Sequence, residues 1–180
     1  IDAASINTLS GTAADLNTAY DSGGISGLAN EAITLTDTSL AVSLLNNLDG
    51  KTSGAIDAAT INTLSGAASD LITAYDSGGI SGLANEAITL TDTSLAVSLL
   101  NNLDGKTSGA INASSVNTLT GTAADLNTAY TANGNGSITG LGNEAATLSD
   151  TSLAVSVLNI LDGNTSGTIN AASINTLSGT

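Results

Sequence analysis

Cysteine, histidine, proline, methionine, phenylalanine, tryptophan and arginine are all absent from this chain. Without cysteine there are no disulfides, no zinc–thiolate sites and no thiol nucleophile. Without histidine the commonest acid–base group near neutral pH is missing, so the many serines have no imidazole to activate them. The only aromatic residues are Tyr20, Tyr75 and Tyr130. A core of mixed shapes uses large aromatics to fill irregular gaps; one built from Ala, Leu, Ile and Val suits a structure that solves a single packing problem repeatedly. The two bases, Lys51 and Lys106, stand against 16 acids, for a formal net charge of −14. Such a surface repels nucleic acid and anionic membrane, because phosphate contacts need Lys and Arg. No membrane span is expected in this segment, since nothing reaches ~20 continuous apolar residues.

What the chain does contain is itself, several times over. Ile1, Ile56, Ile111 and Ile169 open matching copies, and residues 169–180 repeat residues 1–12 with Asn170 in place of Asp2. The first two copies are equal in length and the third is slightly longer. Its extra residues fall in Thr131-Ala-Asn-Gly-Asn-Gly-Ser137, where the first copy has Asp21-Ser-Gly-Gly24; an Asn/Gly-rich insertion reads as a surface loop. Each copy divides again into halves that share Thr-Leu-[Ser/Thr]-[Gly/Asp]-Thr followed by a helical pattern. The expected organisation is repeat 1 at 1–55 (halves 1–24 and 25–55), repeat 2 at 56–110 (56–79 and 80–110), repeat 3 at 111–168 (111–137 and 138–168), and the start of repeat 4 at 169–180.

Local patterns assign elements within each half. Ile33-Thr-Leu-Thr36 alternates apolar and polar residues, which predicts a strand with Ile33 and Leu35 inward. Leu40, Ala41, Leu44, Leu45 and Leu48 recur at helical spacing, predicting a helix over 39–48 capped by Asp37 or Thr38 and stopped at Asp49-Gly50. Thr12-x-x-Asp15 reads as a capping box opening a shorter helix with Ala13, Leu16 and Tyr20 on one face; Ala67 removes that cap in the second copy. The expected fold is therefore α/β: a tandem-repeat solenoid of strand–helix coils with a parallel sheet, two coils per 55-residue repeat, each coil similar to a leucine-rich-repeat unit. In it Leu9, Leu35, Leu64 and Leu90 point inward on adjacent parallel strands.

The motifs Gly27-Leu-Ala-Asn-Glu-Ala32, Thr34-Leu-Thr-Asp-Thr-Ser-Leu-Ala41 and Leu9-Ser-Gly-Thr-Ala-Ala-Asp-Leu16 resemble tandem repeats of very large secreted or cell-surface proteins of cyanobacteria and related marine bacteria. The resemblance covers the whole chain and implies an adhesin-like or surface-structural role outside the cell. Many such proteins look like neighbours of calcium-binding nonapeptide-repeat proteins, but no Gly-Gly-x-Gly-x-Asp run occurs in this sequence.

Four acidic columns recur in all three copies: Asp15/Asp70/Asp125, Glu31/Glu86/Glu144, Asp37/Asp92/Asp150 and Asp49/Asp104/Asp162. Read as metal ligands they would make a row of calcium sites, yet calcium takes six to eight oxygens, several from one loop. These acids are spaced six or more residues apart. Helix-start roles for Asp15 and Asp37 and a turn role for Asp49 account for three columns; Glu31 has no local role, and Lys51 is its candidate partner. No cofactor is expected, calcium being the one alternative. A second candidate is a surface ladder of hydroxyls: Thr8, Ser10, Thr34, Thr36, Thr63, Ser65, Thr89, Thr91, Thr118, Thr120, Thr147 and Ser149. On stacked strands these would form two rows at ~4.8 Å spacing, as on ice-binding solenoids, or simply the polar outer face that a strand layer needs. Asn7, Asn62, Asn117 and Asn175 form a further column, read as an internal ladder that satisfies backbone groups at corners. The Gly-Lys-Thr-Ser turn at Lys51 and Lys106 lacks the upstream glycine of a phosphate loop.

The function expected from these features is structural rather than enzymatic: a spacer or fibre body in a long extracellular filament or cell-surface protein. Its partners would be further copies of the same repeat, or copies of itself by head-to-tail self-assembly. The alternative is a binding surface, for ice or for a cell-surface partner.

Overall fold

A computed structural model describes residues 1–179 of the chain; Thr180, the last residue of the incomplete fourth copy, lies outside the described residues. The fold is α/β, with strands and six helices alternating along the described residues. Copy 1 contains β1 (Thr8–Gly11), α1 (Ala13–Tyr20), β2 (Ala32–Leu35), β3 (Ser39–Ala41) and α2 (Val42–Asp49). Copy 2 contains β4 (Ile56–Asp57), β5 (Thr63–Gly66), α3 (Ala68–Asp76), β6 (Ile80–Ser81), β7 (Ala87–Leu90), β8 (Ser94–Ala96) and α4 (Val97–Asp104). Copy 3 contains β9 (Ile111–Asn112), β10 (Thr118–Gly121), α5 (Ala123–Asn135), β11 (Ile138–Thr139), β12 (Ala145–Leu148), β13 (Ser152–Ala154) and α6 (Val155–Asn164). The fourth copy begins with β14 (Ile169–Asn170) and β15 (Thr176–Ser178).

The alternation read from the sequence sets the strands. In β2, Ile33 and Leu35 are buried while Ala32 and Thr34 are exposed; β7 repeats this with Ile88 and Leu90. Leu64 is buried as well and Leu9 is half-buried, on strands that pair in parallel with β7 and β2. The second-half helices bury Val42, Leu45 and Leu48, and in α4 Val97, Leu100 and Leu103. The helix predicted over 39–48 is therefore too long at its start. Residues 39–41 are strand β3, whose Leu40 is buried between two exposed neighbours and lies opposite Leu64 of β5. Pairing with a strand of the following half-repeat overrides the helical spacing of Leu40 and Ala41. Leu44, expected on the buried stripe, is only half-buried; Val42 takes that place.

Every strand pairing is parallel, and each joins one half-repeat to the next. Leu9 lies opposite Ile33, Ile33 opposite Ile56 and Ile56 opposite Ile80. The insertion of copy 3 does not break this succession, since Ile111 lies opposite Ile138. The sheets run obliquely through the repeats. The five-stranded sheet β3-β5-β7-β9-β11 starts on the strand that abuts α2 and ends on one far upstream of α6. The sheets β1-β2-β4-β6 and β8-β10-β12-β14 follow the same diagonal on either side, and β13-β15 starts another. This drift arises because the second halves of copies 2 and 3 carry three strands before their helix and the first halves only two. The helices pack in sequence, α1 on α2 through α5 on α6. One continuous aliphatic core lies between strands and helices, with Tyr130 its only buried aromatic among the described residues.

Candidate functional site

The expected hydroxyl ladder is broken into pairs. Thr8, Ser10, Thr34, Thr36, Thr63, Thr89, Thr91 and Ser149 are exposed, and Ser65, Thr118, Thr120 and Thr147 are half-buried. The register sets Ser10 opposite Thr34, Ser65 opposite Thr89 and Thr120 opposite Thr147. Beyond each pair the row changes chemistry: Thr34 faces Asp57, Thr89 faces Asn112 and Thr147 faces Asn170. In the other row alanine flanks each threonine on one side, Thr8 opposite Ala32, Thr63 opposite Ala87 and Thr118 opposite Ala145, and serine flanks two of them on the other, Ser39 opposite Thr63 and Ser94 opposite Thr118. Thr36, Thr91 and Ser149 lie past the strand ends, where their N–H groups donate to the carbonyls of Gly11, Gly66 and Gly121. The hydroxyls thus come together in twos, framed by Ala, Asp and Asn.

Two acidic columns cap helices, one of them in an unexpected direction. Thr12 Oγ1 accepts from Asp15 N–H at 3.2 Å and donates to Asp15 Oδ2 at 2.8 Å, and Thr122 repeats this with Asp125. Ala67 leaves α3 without such a cap, as the sequence implies. Asp37 does not cap the helix that follows it, whose leading residue Ala41 carries no side-chain cap. Its Oδ2 instead accepts from the N–H of Ala13, the first residue of α1, at 2.8 Å; Asp92 does the same for Ala68 and Asp150 for Ala123. Each is a carboxylate at the positive end of a helix in the preceding half-repeat. Asp49 ends α2 as expected, and its Oδ2 accepts from Ser77 Oγ at 2.8 Å. The asparagine column satisfies backbone at the corners in part, Asn62 Nδ2 donating to Thr60 O at 3.3 Å and Asn117 Nδ2 to Ser115 O at 3.2 Å, but it is not internal and it shares the role with neighbouring hydroxyls. Asn7, Asn62, Asn117 and Asn175 are exposed, whereas Thr60 Oγ1 donates to Leu35 O and Asp37 O, Ser115 Oγ to Leu90 O, and Ser173 Oγ to Leu148 O.

The glutamate column is the site that local reading missed. Glu31, Glu86 and Glu144 are the only glutamates in the chain, and all three are buried. Each accepts from one of the three tyrosines: Tyr20 Oη donates to Glu31 Oε2 at 2.7 Å, Tyr75 to Glu86 at 2.7 Å, and Tyr130 to Glu144 at 3.3 Å. The N–H of Ala29 donates to both oxygens of Glu31, at 3.1 and 3.0 Å, and Ala84 serves Glu86 alike. In copy 3 the backbone serves one oxygen alone: Gly142 N–H donates to Glu144 Oε2, which also takes the Tyr130 hydroxyl, and the buried Oε1 has no partner. Burial alone pushes the Glu31 carboxyl up; the Tyr20 hydroxyl and backbone N–H donors outweigh it and hold the group below the usual carboxylate range. Burial first, and then the facing glutamate, push the tyrosine hydroxyls above theirs. Glycine makes room for this cluster. A Cβ on Gly54 would sit 2.1 Å from Glu31 O, and Gly109 and Gly167 approach Glu86 and Glu144 as closely. The sequence carries one signal of the pairing: each tyrosine is followed, a short and nearly constant distance on, by one of the three glutamates.

Lys51 is not the partner of Glu31. Its Nζ lies 2.6 Å from Asp21 Oδ2 and donates to Asn17 O at 3.4 Å, at the end of α1. Lys106 pairs with Asp76 at the end of α3. In copy 3 Asn164 stands in the lysine position, and its Nδ2 donates to Asn127 Oδ1 at 2.9 Å. No group of three or more acidic, His or Cys side chains comes together to hold a metal ion among the described residues, and no described helix is long and apolar enough to cross a membrane. The donors and acceptors of the repeated clusters are turned toward one another and toward backbone, an arrangement suited to fastening half-repeats together. Comparisons with protein-family models, curated proteins and solved structures found no match to this chain.

Proposed function

We propose that the chain is a solenoid segment serving as the spacer or fibre body of a long extracellular or cell-surface protein, without enzymatic activity or cofactor. The observation that carries the reading is the ladder register: parallel pairs join each half-repeat to the next without interruption from Asp2–Ser26 to Ala154–Ser178. A unit that bonds only to its neighbours adds length without changing shape. The buried Tyr–Glu pairs and the carboxylates that cap the preceding helix fit this role, since each ties neighbouring segments and none faces a cleft. Ile1 and Ile6 in the first half-repeat and Leu177 in the last are exposed, whereas their counterparts Ile56, Ile61 and Leu64 are buried by the neighbouring half-repeats. Those are the surfaces that further copies, in the same chain or head to tail, would cover. The resemblance to giant secreted and surface proteins of cyanobacteria and related marine bacteria supports the extracellular placement.

Electron microscopy of recombinant arrays with three, six and nine copies tests the reading. Rods of constant width are expected, lengthening by ~4.8 Å per half-repeat. Compact particles whose width grows with copy number would refute it. Thermal hysteresis by an isolated array would favour an ice-binding surface instead; the interruption of the hydroxyl rows by Asp57, Asn112 and Asn170 gives no support to that alternative.

A further inference from the structure

Asn-Gly occurs twice in this chain, as Asn133-Gly134 and Asn135-Gly136, both within the insertion of copy 3. An asparagine followed by glycine is open to attack from its own backbone. The main-chain nitrogen of the glycine adds to the side-chain amide carbon, and glycine has no side chain to hinder the approach. The fold sets the two dipeptides side by side but in opposite circumstances.

Asn133 is fastened through both atoms of its side-chain amide. Nδ2 donates to Leu141 O at 3.3 Å and Oδ1 accepts from Leu141 N–H at 3.1 Å, which ties α5 to the turn that follows β11. The amide carbon cannot reach the Gly134 nitrogen without breaking these bonds. Asn135 is the last residue of α5 and is exposed, as are Gly134, Gly136 and Ser137. The N–H of Gly136 makes one long bond, to Asn133 O at 3.3 Å, and Gly136 takes φ +86°, which glycine adopts without strain. Asn and Gly are poor helix formers, so a last turn made of Asn133, Gly134 and Asn135 is weakly held. Helix ends of this kind open first. The helical backbone keeps the Gly136 nitrogen from the Asn135 amide carbon, and each opening of the turn lets them meet.

We propose that Asn135 is a site of spontaneous deamidation and that Asn133 is protected from it by its bonds to Leu141. The Gly136 nitrogen gives its proton to solvent base and bonds to Asn135 Cγ. The Cγ–Nδ2 bond breaks, and Nδ2 takes a proton from solvent and leaves as ammonia. Water then opens the cyclic imide at either carbonyl, giving aspartate or isoaspartate; nothing is oxidised or reduced. The product places a carboxylate at the C-terminus of α5, where the helix dipole opposes it, and along the same groove as Asp104. Isoaspartate also adds a methylene to the main chain. Both changes unwind the last turn and bring α5 nearer the length of α1, which ends at Tyr20. Copies 1 and 2 carry Asp-Ser-Gly-Gly in this place and have no such reaction.

The test is incubation of the folded chain at mildly alkaline pH. Mass spectrometry of proteolytic fragments locates each exchange of amide nitrogen for oxygen, and electron-transfer fragmentation separates isoaspartate from aspartate. Asn135 should convert, mostly to isoaspartate, at least about tenfold faster than Asn133, whose two hydrogen bonds must break first. In urea the two should react at similar rates. Gly136→Ala should slow Asn135 severalfold in the folded chain and in urea alike, which separates the chemistry from any effect on folding. Amide resonances of the aged chain should shift only within 131–137. Equal rates at the two asparagines in the folded chain, an Asn135 inert there while both react in urea, or aspartate without isoaspartate would each overturn the proposal.

Discussion

Asp37 holds the first N–H of a helix in the half-repeat before its own, its Oδ2 lying 2.8 Å from the nitrogen of Ala13. The same bond recurs from Asp92 to Ala68, but the two helices differ in what else they have. Helix α1 keeps its own cap through Thr12, while α3 is preceded by Ala67 and has none of its own. Asp92→Ala should therefore destabilise more than Asp37→Ala: up to about 2 kcal/mol against about 1 kcal/mol, the range of lost helix caps. Urea unfolding of the two variants measures the difference, and equal losses would contradict the argument.

Leu45 is fully buried and Leu44 only half-buried. Leu45→Ala is expected to cost about 2–5 kcal/mol, the range for a buried leucine whose cavity does not collapse, and Leu44→Ala distinctly less. Ser43→Asp, on an exposed position, should stay within about 0.5 kcal/mol. Melting temperatures that rank Leu44 above Leu45 would show the helix rotated from its described orientation.

The Tyr–Glu pairs predict how stability depends on pH. Glu31 sits below its ordinary range. Its contribution is thus complete above about pH 4.3, the usual unfolded value, and is lost as the pH falls through the lowered value. Tyr75 sits above its ordinary range, so its contribution is complete below about pH 10 and is lost as the pH rises further. Tyr20→Phe removes the hydroxyl that offsets burial of Glu31, so the acid loss of stability should begin at higher pH than in the parent chain. Urea midpoints taken from neutral to acid pH check this; superimposable acid limbs would rule it out.

Gly54 is predicted to be irreplaceable for steric reasons. A Cβ there would meet Glu31 O at 2.1 Å, whereas one on Gly23 meets nothing within 4 Å. Gly54→Ala should cost about 3 kcal/mol, at the upper end of ordinary substitutions, and Gly23→Ala next to nothing. A comparison of their thermal midpoints decides it.

What the sequence reveals is set by range. Thr12 with Asp15, and Ile33 with Leu35, are governed by neighbours close along the chain, and both appear as read. The class of fold follows from the repetition of such short patterns. Leu40 misleads because helical spacing and strand alternation agree over so short a run; its pairing with Leu64 of the next half-repeat decides between them. Asp37 is recognisable as a cap but not assignable to the right helix, since nothing local distinguishes a carboxylate that turns forward from one that turns back. Glu31 looks orphaned because its donor, Tyr20, lies across a turn. Only the match of three glutamates to three tyrosines hints at the pair. The stretch from Thr131 reads as loop because it is rich in Asn and Gly, yet α5 runs on through it to Asn135.

The oblique course of the sheets has a mechanical consequence. From the second half-repeat onward, successive half-repeats are joined by two ladders belonging to different sheets: β2-β4 with β3-β5, β4-β6 with β5-β7, β7-β9 with β8-β10, β9-β11 with β10-β12, and β12-β14 with β13-β15. Where the sheet β1-β2-β4-β6 ends, in the second half of copy 2, the five-stranded sheet runs on, and where that one ends, in the second half of copy 3, β8-β10-β12-β14 runs on, so the joints are staggered like courses of brick. Under tension along the row of helices, a crack that opens at the edge of one sheet runs into the unbroken middle of the next. From the second half-repeat onward, rupture then requires two ladders to part at once, and the load is shared between sheets rather than borne by one seam.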